Sequence, residues 1–591
     1  MAYSIQRLYQ SSYRYNSTKS NEMTKTLSTK KNTLRYITLM ILIFLFPYCN
    51  NDNVKKTEPS SLSDSIPSST DSGDSESSLN NKYNLDKLNY MRLLYGRFLD
   101  SGTYTVPATT RNDLTQTIDS LNNTGNNLVI YFHGGLIPLK SAYKDPKRTG
   151  LDKTFRNAGY FPYYILYGAN PYEIWSNRRR GLTKMDEDAN FADITTDPPS
   201  PLDSAFDHSY TYKSYVYLLI QLNRKFNPKP GFAKNSYKKI EDTLNLLDIL
   251  EKEVAQSQAT KSSFVPTSPD KRQLAALKKE LYNDTTFRAL ARQDALMDPD
   301  FISTKGDPDE FVKWLFNIDD LLPDIKKRFD SGRSHGPIMT ITEEAICNSP
   351  ARFLKKIRAL ARDGWEQQKK DVDTPFTNDS NLYGGIALLD ELLRLDNLQK
   401  KKGTLKKIYL IGSSTGAIFL CNFLIRSSEA KYRQLHYNVI FSVPSCTFRL
   451  FDSALKKAGE NIKSLHLFTL SDSTDQHPVG GLLKKVYPGS VLFLVSGVCE
   501  EKENPYHDMP LLGLQKFYIN NFANNKSLTK PEASAIKAVM DRLKMVNGKS
   551  KYVAWSNEDS PNPYLKNCAK GHKEVIRDKD VQQSIHYILT N

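Results

Sequence analysis

Apolar residues recur along this chain in two rhythms. One is the helical spacing of three to four, as in Leu88, Met91, Leu94, Tyr95 and Phe98, which predicts a helix over 85–99. The other is a short unbroken apolar run with polar or glycine-rich borders, suited to a strand covered on both faces. Such runs are Leu128–Phe132 (LVIYF), Tyr160–Tyr167 (YFPYYILY), Lys407–Ile411 (KIYLI), Asn438–Val443 (NVIFSV), Leu465–Leu470 (LHLFTL), Ser490–Val495 (SVLFLV) and Lys551–Trp555 (KYVAW), with Thr103–Pro107 a shorter candidate. Helical patterns fall between them over 111–121, 151–158, 385–395, 417–426 and 580–589. Strands alternating with helices predict an α/β fold with an open, largely parallel sheet of at least six strands. No repeat of 20 to 50 residues is present, which sets aside solenoids and propellers.

The strand rhythm is interrupted over 170–382. There the pattern is charged and helical, with Ile240, Leu244, Leu247 and Val254 on one face and Phe311, Leu315, Ile318 and Leu322 on another. This predicts a mostly helical insertion between two sheet-forming parts, 83–169 and 383–591. An insertion at that point of an α/β chain stands above the carboxyl edge of the sheet, where it could act as a lid or be an independent helical unit. Tyr210, Tyr212, Tyr215 and Tyr217 alternate within it, either to line an acyl pocket or to pack its own core.

The first 82 residues follow another logic. Lys25, Lys30, Lys31 and Arg35 precede a thirteen-residue apolar run, Tyr36 to Tyr48, that ends at Cys49. The run is shorter than the ~18 to 20 residues of a spanning helix, so it reads as the apolar part of an export signal. Residues 50–82 are rich in Ser, Asp and Asn and read as a disordered tether. Apolar run, cysteine and polar tether together resemble the leader of a bacterial lipoprotein, although Pro47 and Tyr48 stand where that motif carries small residues. The resemblance implies Cys49 as the lipid anchor of an exported, membrane-attached protein; cleavage near Cys49 and an uncleaved anchor are the alternatives.

Composition narrows the function. The 591 residues are 39% hydrophobic and 25% charged, which excludes wholesale disorder and fibrous classes. Lys and Arg number 81 against 65 Asp and Glu, a net charge of +16, but no block of five or six like charges occurs. That spread is a solvated basic surface able to approach anionic lipid, and no nucleic-acid partner is expected. Six cysteines form no CxxC pair and have no histidine at ligand spacing, so no metal site and no cofactor are expected. Cys421 and Cys446 sit in apolar runs and read as buried thiols.

The sharpest chemical signal is Gly412-Ser413-Ser414-Thr415-Gly416, a G-x-S-x-G sequence between the strand KIYLI and a helical run. A serine hydroxyl becomes a useful nucleophile when a sharp turn presents it beside a base, and small residues two positions away on either side make room for that turn. The backbone N–H of Thr415 lies where a helix begins, a location that favours developing negative charge. His133-Gly134-Gly135 follows the strand LVIYF, and its glycines let backbone approach a reacting carbonyl closely.

The segments LVIYFHGG at 128–135 and YLIGSSTGAIFL at 409–420 resemble the α/β-hydrolase superfamily in its lipase and esterase-like form. The resemblance covers about residues 100–170 and 383–591. It implies Ser414 as nucleophile, Thr415 with Gly134 or Gly135 as oxyanion hole, and a chain order of serine, acid, histidine. His572, between the last strand and the last helix, is the expected base, with His507 as the competitor and His586 a surface or packing residue. Asp472 is the first expected acid, Asp475 the second and Glu500 the third. The activity implied is hydrolysis of a carboxylic ester or lipid through an acyl-enzyme, without a cofactor. The alternative is a non-catalytic surface lipoprotein that binds a partner through a hydrolase-like fold.

Overall fold

The computed structural model describes most of residues 83–168, 217–222, 270–295, 317–349 and 352–591. The leader, Cys49, the tether, most of the Thr103–Pro107 candidate, His507, the Ile240 face, Phe311, Leu315 and Tyr210, Tyr212 and Tyr215 lie outside the described residues.

In chain order the elements are β1 Tyr90–Leu93, α1 Arg111–Thr124, β2 Asn127–Phe132, α2 Leu139–Arg148, α3 Leu151–Asn157 and β3 Tyr160–Tyr167. Then come α4 Lys271–Asn283, α5 Thr285–Ala295, α6 Ile318–Asp330, α7 Pro337–Asn348, α8 Arg352–Asp373 and α9 Gly384–Lys402. The second sheet-forming part holds β4 Ile408–Ser413, α10 Gly416–Ser427, β5 Tyr437–Ser442, α11 Phe448–Ala458, β6 Ile462–Thr469, α12 Lys530–Arg542, β7 Val553–Trp555 and α13 Lys579–Thr590.

The seven strands form one sheet in the order β1-β3-β2-β4-β5-β6-β7, and every neighbouring pair is parallel. The chain is therefore an α/β protein. Its apolar runs divide by alternation: Leu128, Ile130 and Phe132 of β2 enter one buried cluster while Val129 and Tyr131 enter the other. A parallel sheet needs both faces covered, which is why its strands read as continuous apolar runs. From β2 the chain steps outward to β3, which lies between β2 and the edge strand β1, and then crosses back to β4 and builds outward through β5, β6 and β7 on the other side. The reversal of direction opens a crevice at the carboxyl ends of β2 and β4, the place where open α/β sheets bind ligands.

Two sequence expectations are corrected. Residues 85–99 are not a helix: a 3-10 turn at Lys87–Asn89 leads into β1, whose four residues are all buried. The helical spacing there is coincidental, and Tyr95 and Gly96, both at positive φ, end the segment in a tight turn. Ser490–Val495 is not a strand either. The Ser490 hydroxyl accepts the Phe493 N–H at 3.2 Å and caps a short helix, Val491–Leu494, which continues as a π-helical turn through Cys499. An apolar run of six looks the same in a buried strand and a buried helix, and here the serine cap decided. Cys421 and Cys446 are buried free thiols, as read from the sequence. Among the described residues no helix is long and apolar enough to cross a membrane.

Candidate active site

The crevice between β2 and β4 is where the sequence motifs converge. β4 ends at Ser413, and Ser414 takes φ 51°, a left-handed conformation that a non-glycine residue rarely adopts. Its backbone is held in place: the Ser414 N–H donates to Ser442 O at 2.9 Å, and Ser414 O accepts from Ala417 at 3.0 Å and Ser445 at 3.2 Å. A strained residue held by surrounding contacts is common at functional sites. The turn also explains its glycines. A Cβ on Gly416 would overlap the Phe132 carbonyl and lie 2.7 Å from His133 O, and one on Gly412 would lie 2.9 Å from Gly416 O. Helix α10 starts directly behind, with Thr415 as its N-cap residue, so the Thr415 N–H is at the positive end of the helix dipole.

The loop after β2 closes over this turn. A Cβ on Gly134 would be 3.0 Å from Ser414 Cβ and 3.7 Å from Ser414 Oγ, and one on Gly135 would strike the Thr415 side chain. The loop is secured by His133, which is buried. Its Nδ1 lies 2.8 Å from Gly134 O, its Nε2 accepts the Tyr167 N–H at 3.2 Å, and its carbonyl accepts the Tyr167 hydroxyl at 2.6 Å. Burial lowers the His133 pKa to about 4, so the ring is neutral and Nε2 can accept.

His572 approaches from the other end of the chain. Its Nε2 is 3.0 Å from Ser414 Oγ, so the hydroxyl can donate to the imidazole. Burial first, and Lys573 second, push the His572 pKa down to about 4. The ring is therefore neutral and able to take a proton at ordinary pH. Its Nδ1 is sealed from solvent and has no hydrogen-bond partner among the described residues.

The acidic candidates are placed differently. Asp472 Oδ1 accepts the Lys516 N–H at 3.2 Å and its own N–H donates to Gln515 Oε1 at 2.9 Å, so its carboxylate faces the 515–516 turn and not His572. Burial raises it to about 6, with Lys516 acting against that rise. Glu500 is taken up by α8, accepting Trp365 Nε1 at 2.9 Å and Lys369 Nζ at 3.2 Å. Asp475 is buried, and neither of its oxygens has a well-formed hydrogen bond among the described residues; burial raises it to about 7 while the Ser490 hydroxyl lowers it. His586 lies half-buried on α13, apart from the serine.

Lys516 also leads to a second buried polar centre. Its Nζ is 3.4 Å from Asp508 Oδ2. The Arg328 guanidinium on α6 meets Glu343, Glu344 and Asp508, the Tyr487 hydroxyl donates to Glu343 Oε1 at 2.7 Å, and His335 Nδ1 is 2.8 Å from the same oxygen. These contacts tie α6 and α7 to the segment between β6 and β7.

One neighbour of the site carried no sequence signal. Gln368, buried on α8, lies against Gly135 and its Nε2 reaches Gly135 O at 3.5 Å, so α8 backs the loop that faces Ser414. Nothing in an amphipathic helix marks one glutamine as the residue that will touch a loop 233 positions away.

A small cavity of about 50 Å³ opens beside Ser414 and His572, between β2, α2 and the 3-10 turn Val575–Arg577. Taken together the crevice offers a serine hydroxyl on a strained turn, a neutral imidazole within proton-transfer distance, and backbone from a glycine loop and a helix start around the hydroxyl. That set can support nucleophilic attack on a carbonyl. Comparison of the chain with protein-family models, with curated proteins and with solved structures finds no match in any of the three.

Proposed function

We propose that the protein is a serine hydrolase of the α/β-hydrolase type that cleaves carboxylic esters outside the cytoplasm, attached to a membrane through Cys49. The observation that carries this reading is the 3.0 Å approach of His572 Nε2 to Ser414 Oγ, between residues 158 positions apart, at the switch point of the sheet. A serine on an unstrained loop with a histidine nearby is common; a serine at φ 51° with its backbone held on both sides is not.

In the proposed reaction the Ser414 oxygen bonds to the ester carbonyl carbon while its proton passes to His572 Nε2. The carbonyl oxygen gains negative charge, which the Thr415 N–H and the Gly134 or Gly135 backbone would stabilise. The carbon–alkoxy bond then breaks and the alcohol leaves with the proton from His572. Water next adds to the acyl carbon, giving its proton to the same nitrogen; the Ser414–carbon bond breaks as His572 returns that proton to Ser414 Oγ, and the carboxylic acid is released. Asp475 is the proposed orienting carboxylate. It is a buried acid in the loop after β6, and among the described residues neither its oxygens nor His572 Nδ1 has a well-formed hydrogen bond.

One observation favours the alternative of a non-catalytic binding protein, namely that no described carboxylate touches His572 Nδ1. Labelling the full chain with a fluorophosphonate probe separates the two. Covalent label on the wild type that disappears in Ser414→Ala and His572→Ala supports the hydrolase. A folded wild type that takes up no label overturns it.

A further inference from the structure

We infer that the amino edge of the sheet, at the opposite end from the serine crevice, is the face with which the protein meets an anionic lipid surface. This adds to the membrane attachment proposed above the side of the molecule that faces the bilayer, and it does not depend on the hydrolase reaction. In a parallel sheet every strand starts at the same edge, so the four connections that enter β4, β5, β6 and β7 come together there. They are residues 400–407, 426–436, 456–463 and 541–552, and they carry fifteen Lys and Arg against three Asp and Glu. These 39 residues therefore hold twelve of the net +16, although the whole chain has 81 basic residues against 65 acidic ones.

Most of this charge is neither neutralised nor hidden. Lys400, Lys431 and Lys456 pair with Asp396, Asp390 and Asp452. Lys401, Lys407, Lys457, Lys463 and Lys549 are exposed and enter no ion pair among the described residues. Cations gather at helix C-termini because they complement the helix dipole. That does not account for Lys406, Lys407, Lys463, Lys549 and Lys551, which lie beyond the helix ends. The connections also share one surface. Burial first, and Lys463 second, keep the His436 pKa below its ordinary value, and Lys400 acts in the same sense. Lys544 and Lys551 both lie over the Tyr552 ring, 5.9 and 5.2 Å from its centre.

The make-up of this face favours lipid over nucleic acid. Twelve of the fifteen cations are lysines, compact ammonium groups on flexible stems that suit mobile headgroups, whereas nucleic acid favours arginine forks and exposed rings on which bases stack. Tyr432 is buried and Tyr552 lies under two lysines. Val546 opens the tight turn Val546–Lys549 among these lysines and, at 69% exposure, is the most exposed large apolar side chain among the described residues. An apolar residue ringed by lysines is what a headgroup layer accepts. Ser414 stands at the far end of β4, whose six residues span roughly 20 Å, so lipid at the amino edge leaves the crevice on the side away from the bilayer.

The test reads lysine reactivity, by a water-soluble acylating reagent and peptide mass spectrometry, in the full chain on vesicles of phosphatidylcholine alone or mixed two to one with phosphatidylglycerol. Lys401, Lys407, Lys463 and Lys549 should react at least threefold more slowly on the anionic vesicles and lose that protection in about 0.5 M salt. Lys526, Lys530 and Lys579, exposed at or before the starts of α12 and α13, should react alike on both. A lysine near an anionic surface contributes about fivefold to partitioning. Changing the four edge lysines to Glu should therefore cut the excess binding to anionic over neutral vesicles at least a hundredfold, and changing the other three to Glu by less than tenfold. A vesicle-bound chain whose edge lysines stay as reactive as the other three overturns the inference and leaves the attachment through Cys49 standing. Failure to bind either vesicle overturns both. Protection of the edge lysines by duplex DNA and not by anionic vesicles overturns the inference in favour of nucleic acid. Fluorophosphonate labelling of Ser414 is read separately, so none of these outcomes is confused with failure of the hydrolase reading.

Discussion

Two buried polar centres, one at Ser414 and His572 and one at Arg328, differ in how charge is distributed within them. Around Arg328 the charges are dense and of both signs: one guanidinium against Glu343, Glu344 and Asp508, with Tyr487 and His335 on further acceptor positions, although Arg328 Nε and His335 Nε2 have no partner among the described residues. Around Ser414 and His572 ion pairs are few: His572 Nδ1 has no partner among the described residues, and the buried Asp475 carboxyl is met by the Ser490 hydroxyl and by no cation among them. Ion-paired buried charges hold elements in one arrangement, because losing one partner strands the others. Buried groups without a counter-charge shift their protonation instead, which suits them to proton transfer. Asp472, the first acid expected from sequence, belongs to the border of the Arg328 centre through the Lys516 backbone.

The largest expected effect tests the Arg328 centre. Arg328→Met should destabilise the chain by about 3–5 kcal/mol, read from chemical denaturation, because three carboxylates lose their common partner. A loss below about 1 kcal/mol would remove the contrast between the two centres.

Asp475→Asn should act in the opposite direction, stabilising the protein by about 2–4 kcal/mol at pH 8. The folded-state pKa of Asp475, about 7, is above the ordinary 3.8. Folding therefore binds a proton between those values, and the penalty of keeping the acid buried grows as pH rises through that window. The gain from Asn should fade as pH is lowered toward 4, and labelling of Ser414 should slow if Asp475 orients His572. Equal stability of the two proteins at pH 8 would show that Asp475 is already paired.

At the serine turn, Gly416→Ala should slow labelling about a hundredfold, since an ångström of misplacement can cost that much. The added methyl meets the Phe132 and His133 carbonyls, so it would displace the Gly134 loop as well as Ser414. A labelling rate within threefold of wild type would show that the turn tolerates a shift.

The smallest effect is in the pH profile. His572 acts as base only when neutral and its pKa is lowered to about 4, so labelling should persist to about pH 5 and fall with a midpoint near 4. A midpoint at 6.5 or above would mean that a carboxylate already stabilises the imidazolium in the free enzyme. Stability must be followed in parallel. His133 and His466 are also depressed to about 4, and each makes the fold less stable as pH falls from 6.5 toward 4, where the unfolded chain takes up protons that the folded chain cannot.

Much of the core and part of the site were legible in the sequence. LVIYF, YFPYYILY, KIYLI, NVIFSV and LHLFTL are strands because runs of β-branched and aromatic residues fit a sheet covered on both faces, and G-x-S-x-G between strand and helix marked the serine turn. His572 was legible from its place in chain order, and its distance from Ser414 agrees with that place. Periodicity misled where local spacing is degenerate: 85–99 carries a helical stripe yet holds β1, and SVLFLV has strand composition yet starts a helix under the Ser490 cap.

Local sequence alone determined the alternating α/β rhythm, the tight serine turn and the residue types that can attack a carbonyl, because each depends on neighbours within a few positions. Only the tertiary structure decided which carboxylate faces which partner, that Gln368 backs the Gly135 loop, and that the Asp145–Arg577 pair joins α2 to the turn before α13 at the cavity beside Ser414. Those contacts join residues from about forty to more than four hundred positions apart, and a carboxylate on a loop carries no mark of the group it will meet until packing has chosen its direction and sealed it from water.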